Sequence, residues 1–113
     1  MTQNPEPLGL DLKPHELVIV QKILQKLIPE IRVFVVGSRA RGFAKHYSDL
    51  DLLLDNSEEL PLRLLCDLQD EFGESNLPWK VDLVQMPLLS EEYYKTMARS
   101  MIQIHPKTGS IRP

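Results

Sequence analysis

Cysteine is almost missing from this chain: Cys66 is the single thiol in 113 residues, so no internal disulfide can form and a reducing, cytoplasmic setting is expected. Long hydrophobic runs are missing too. The longest fall far below the ~20 residues needed to cross a bilayer, and nothing resembles a signal peptide. Positive charge is not in excess: a net charge of −3 and a pI of about 5.6 argue against a dedicated nucleic-acid binder, which masses Lys and Arg on one face. Any phosphate binding must therefore be local. No internal repeat or low-complexity tract appears, and the length fits one domain that buries about two-thirds of its unfolded surface.

What is present is an alternation of helical and strand periods. Residues 1–13 hold Asn4, Pro5, Pro7 and Gly9 and read as a loosely held lead-in. Pro14 fits the first position of a helix, with Glu16 favourable near its positive end, and Leu17, Val20, Leu24, Leu27 and Ile28 form an apolar stripe ending before Pro29. Val33–Val36 reads as a strand that stops at Gly37-Ser38, and Ser38–Gly42 as a short helix. A second strand follows at Leu50–Leu54. Asn56 or Ser57 is then a candidate cap for a helix striped by Leu64, Leu65, Leu68 and Phe72, with Gly73 as its stop. After a turn over Glu74–Pro78, Trp79–Val84 reads as a third strand. Ser90 caps a last helix with Glu91 and Glu92 in its first turn and Tyr93, Met97 and Met101 on one face. Ile102 and Ile104 add a short extended segment, and residues 106–113 form a frayed tail. The pattern predicts an α/β fold, with one domain over residues 14–105.

The chemistry concentrates in Val33–Leu54. If Leu50, Leu52 and Leu54 point into the core, Asp49 and Asp51 share the other face of the strand with Leu53, their backbones on the order of 7 Å apart, so that their carboxylates can converge on shared cations. Asp is depleted in strands, and two on one face repel each other unless a cation lies between them. An EF-hand loop alternates acids around a central glycine, which is not this pattern; magnesium, with hard oxygen ligands and the rest of its shell from water and phosphate, suits better. Gly37-Ser38 is either a plain strand-ending turn or a phosphate cradle, in which glycine permits close approach and free amides at a helix start favour an anion. Arg39 and Arg41 are either solvated or neutralise phosphates and are kept as nucleotide-binding candidates with Gly37 and Ser38. Asp82, between Val81 and Leu83, is a third acid in an apolar setting.

Gly37-Ser38, ten residues, then Asp49-Leu50-Asp51 resembles the signature of the DNA polymerase beta-type nucleotidyltransferase superfamily. In so short a chain it looks like the minimal nucleotidyltransferase branch, the antitoxins of HEPN-domain toxins. The resemblance spans residues 14 to 102. It implies a nucleotidyltransferase fold, a small mixed sheet of three or four strands flanked by about four helices, with the strand of Asp82 beside that of Asp49 and Asp51. It implies that these three acids hold two Mg²⁺ ions and that ATP is the donor. The implied reaction is transfer of AMP to a tyrosine of a HEPN ribonuclease toxin encoded alongside, which neutralises it. A chain ending soon after its third acid leaves the site open on one side, to be completed by another polypeptide or a second copy. Three alternatives remain: transfer to a small molecule such as an aminoglycoside by the same core, a non-catalytic module that only occludes the toxin, and a purely structural subunit.

Other residues carry weaker signals. Asp55 reads as a turn or cap acid, His46 as an exposed loop residue, and His15 and His105 as unremarkable. Cys66 reads as a small core residue, and Tyr93, Tyr94, Met97 and Met101 as core or partner-facing.

Overall fold

Arg32–Val36 forms β1, the antiparallel centre of a four-stranded sheet in the computed structural model, which describes residues 9–42, 44–45 and 47–106. On one side β1 pairs with β2, Leu50–Asp55; on the other it pairs with β4, Ile102–His105. Beyond β2 lies β3, Val81–Gln85, parallel to it, so the sheet order is β3-β2-β1-β4. A parallel pair needs a long crossover, and α3, Leu62–Gly73, supplies it. The remaining helices are α1, Pro14–Leu27, α2, Ser38–Arg41, and α4, Glu91–Ala98, with one 3₁₀ turn at Met86–Leu88. This is the mixed sheet with four helices that the resemblance implies.

Alternation along the strands divides the sheet into two faces. Leu50, Leu52 and Leu54, with Val33, Val35 and Val81, pack against Val20, Ile23 and Leu24 of α1 and Leu68 and Phe72 of α3. The opposite face carries Asp51 and Leu53, with Val36 and Phe34 as their partners across the ladder. Leu53 and Val36 are buried there as well, so Asp51 rises from an apolar floor. Among the described residues no helix is long and apolar enough to cross a membrane.

Several details depart from the sequence reading. Leu12, placed in the lead-in, belongs to the core, and Asp11 N–H donates to the Arg39 carbonyl at 2.7 Å, so packing begins ahead of Pro14. α3 starts at Leu62 behind Pro61 rather than after Asn56, because Asn56 is buried and donates from Nδ2 to the Glu58 carbonyl and to Gln85 Oε1. Gly73 is the last helical residue and not a left-handed stop; Ser75 Oγ instead donates to the Phe72 carbonyl. Trp79 precedes β3 rather than opening it, and Met101 lies past the end of α4. Cys66 is exposed, since the buried positions Leu68 and Phe72 fix the inward face of α3 and Cys66 falls off it. Asp55 ends β2 in an ion pair with Arg32. His46 and the tail over 107–113 lie outside the described residues.

His105 is 1% exposed, with Nε2 3.2 Å from the Ile28 carbonyl. Burial pushes its pKa below the ordinary 6.5, outweighing backbone hydrogen bonds that favour the charged form. The unfolded chain therefore takes up a proton at a pH where the folded chain does not. The stability from neutral His105 is complete above pH 6.5 and is lost as pH falls below it. Thermal denaturation at about pH 7.5 and about pH 5.5 checks this: the wild type is expected to lose more on acidification than His105→Gln.

Candidate active site

The parallel pairing of β2 and β3 sets Asp51 directly opposite Asp82, and the antiparallel pairing on the other side sets Asp51 opposite Val36, the residue before Gly37. Three strands thus bring two acids and the glycine turn together. Asp82 and Asp49 are exposed, while Asp51 is half-buried. Burial raises the pKa of Asp51 above the usual carboxylate value, and the charges of Asp82 and Asp49, with a hydrogen bond to Asp82, raise it further.

Gly37 is required here by geometry. Its φ is +79°, a region that L side chains rarely adopt, and a Cβ on it would stand 2.7 Å from Asp51 Oδ2. The backbone of the turn therefore lies against the carboxylate. A cavity of about 430 Å³ opens over this junction. Asp51, Asp82, Leu83 and Val84 line it from the strands, Gly37 and Arg41 from the turn and α2, and Tyr93, Thr96, Met97 and Ser100 from the α4 segment.

The structure gathers some of the sequence candidates and not others. Gly37, Arg41, Asp51 and Asp82 meet at this cavity. Ser38 opens α2 next to Gly37. Asp49 is not in the lining and acts on Asp51 through its charge. Arg39 is elsewhere, 5% exposed, donating from Nε and Nη2 to the Ser48 carbonyl at 3.1 and 2.9 Å and from Nη1 to the Asp11 carbonyl at 3.0 Å. Its guanidinium lies 4.4 Å from the centre of the Trp79 ring. Arg39 thus ties the segment that delivers Asp49 to the start of β3. Replacing it by Lys, which has no planar fork, is expected to cost about 2 kcal/mol of stability in denaturant unfolding.

A larger cavity of about 480 Å³ is lined by Glu16, Arg39 and Trp79 among others, but it contains none of the three acids. Chemistry therefore assigns the site to the smaller one. The α4 wall escaped the sequence reading, although the offsets three, four and seven from Tyr93 mark one helix face. An amphipathic helix announces that it has an inward face; it does not announce what that face borders.

Among the described residues no three His, Cys, Asp or Glu side chains are drawn together closely enough to hold an ion as they stand. The donor set nevertheless fits Mg²⁺, which takes one or two carboxylates and completes its shell with water and substrate phosphate. Asp51 and Asp82 supply two hard oxygen donors, and the mutual repulsion that raises the Asp51 pKa is what a cation would relieve.

A mixed sheet that sets paired acids beside a glycine turn defines a phosphate-handling enzyme of the nucleotidyl-transfer class. The nucleotidyltransferase domain family matches residues 17–105, and the chain belongs to that family. It is 40% identical over 102 residues to the probable protein adenylyltransferase MntA of Haemophilus influenzae, covering 90% of each chain. It is 39% identical over 77 residues to the protein adenylyltransferase MntA of Thermococcus cleftensis, covering 68% of this chain and 75% of that one. Solved structures share its fold, among them the following. A toxin–antitoxin crystal structure with AMP-PNP superposes with a TM-score of 0.65 at 22% identity, over 78% of this chain and 71% of the other. A mutant MntA–HpeT toxin–antitoxin complex gives 0.64 at 20% identity, over 82% and 73%.

Proposed function

We propose that this chain is a Mg²⁺-dependent protein adenylyltransferase that moves AMP from ATP to a tyrosine of a HEPN-type toxin encoded beside it, and so acts as the antitoxin in the cytoplasm. The observation that carries the reading is the register of Asp51 with Asp82 next to the Gly37 turn. The protein adenylyltransferase relatives and the AMP-PNP-bound neighbour support the donor and the reaction.

In this reading Gly37, Ser38 and Arg41 hold the β- and γ-phosphates, and Arg41 neutralises charge that grows as pyrophosphate departs. Asp51, Asp82 and Asp49 would hold two cations, whose chemistry when bound would be to polarise the α-phosphate and lower the pKa of the attacking hydroxyl. Asp82, exposed at the cavity, accepts the hydroxyl proton. The acceptor oxygen bonds to the α-phosphorus in line with the leaving pyrophosphate, so that catalysis rests on positioning and charge neutralisation. Incubation with α-labelled ATP, Mg²⁺ and the adjacent toxin tests this. Label is expected on the toxin and should vanish with EDTA; labelling of an aminoglycoside in place of the toxin would point to the small-molecule alternative and sink this reading.

A further inference from the structure

The cavity over Asp51 and Asp82 has acceptor chemistry of its own. Three of the four residues that line it from the α4 segment, Tyr93, Thr96 and Ser100, carry hydroxyls. Thr96 Oγ1 is committed to the helix, donating to the Glu92 carbonyl at 3.2 Å. Ser100 lies past the last residue of α4 on a short side chain. Tyr93 differs from both: it is 54% exposed, its hydroxyl makes no hydrogen bond among the described residues, and its ring carries that hydroxyl well away from the backbone.

The direction of attack selects among the walls. In-line displacement brings the nucleophile in opposite the leaving group. With the β- and γ-phosphates at Gly37 and Arg41, the leaving pyrophosphate lies on the α2 side, and the wall that bears hydroxyls is α4. Resting on the reading of the site given above, we infer that Tyr93 is an acceptor in the chain's own site, so that the protein adenylylates itself when no partner supplies a tyrosine. The phenolic oxygen of Tyr93 bonds to the α-phosphorus of ATP, the bond from that phosphorus to the bridging oxygen breaks, pyrophosphate leaves with the electron pair, and the phenolic proton passes to Asp82. The resulting phosphodiester puts AMP in the cavity and blocks entry of another ATP. Self-modification would thus idle the enzyme in the absence of its partner.

The test incubates the full chain with α-labelled ATP and Mg²⁺, alone and with the adjacent toxin, and locates the label by peptide mass. The chain alone is expected to gain one AMP on the peptide containing Tyr93, and Tyr93→Phe to lower self-labelling at least about tenfold. Label on the toxin with none on the chain overturns the inference and leaves the transferase reading standing. Self-label on Tyr47, Tyr94 or any other residue, or undiminished in Tyr93→Phe, also overturns it. No label on either polypeptide defeats the inference and the reading together.

Discussion

Asp82→Asn is expected to lower AMP transfer on the order of a thousandfold or more while leaving the melting temperature nearly unchanged. The side chain is exposed, and Asn keeps its size, so folding loses little. What is lost is the charge of one of the two carboxylates already placed at the cavity, and with it the proton-accepting role proposed for it. A second readout follows from the electrostatics. With Asp82 uncharged, one of the influences that raise the Asp51 pKa disappears, so the Asp51 carboxyl should titrate lower in the variant, by carbon-detected NMR. Neutralisation of the toxin should fail with transfer. If the variant still neutralised the toxin without transferring AMP, occlusion and not catalysis would be the antitoxin mechanism.

Gly37→Ala is expected to have the second largest effect, and it acts by crowding rather than by deleting a group. A Cβ at this position meets Asp51 Oδ2 at 2.7 Å, and the φ of +79° remains unfavourable for alanine even if the carboxylate swings aside. This backbone conformation, with ψ at −152°, is essentially reserved for glycine and costs alanine about 1–3 kcal/mol, visible as a lowered unfolding midpoint. The displaced carboxylate costs more. Misplacing a catalytic group by about 1 Å lowers rates on the order of a hundredfold, so kcat should fall well beyond what the stability loss explains. Asp51→Asn in the Gly37→Ala background should then add much less than it does in the wild type, because both changes disable one ligand position.

The strands and the Asp pair were legible in the sequence because one signal reports both: a period of two sends Leu50, Leu52 and Leu54 inward and so turns Asp51 outward. The Gly-Ser turn was legible for a similar reason, since a β-branched run ending in glycine has few other uses. Asp82 as the third acid depended on knowing which strand lies beside β2, which periodicity does not encode and the resemblance supplied. Arg39 was ambiguous because an arginine next to a phosphate turn has the same local sequence whether it faces the ligand or the Ser48 and Asp11 carbonyls. Asn56 was misread as a cap because its partner, Gln85, is 29 residues away. Tyr93 and Met97 look core or partner-facing in the sequence because helical spacing identifies an inward face but not the cavity beyond it.

Co-crystallisation with Mn²⁺ in place of Mg²⁺ and with AMP-PNP tests the central claim most directly, because the anomalous signal of manganese marks the cation independently of the protein. An ion is required within about 2.1 Å of oxygens from both Asp51 and Asp82, with the nucleotide's phosphates against the Gly37-Ser38 turn. Nucleotide seated instead in the cavity of Arg39 and Trp79, or phosphates at the turn with no ion on the two acids, would contradict it.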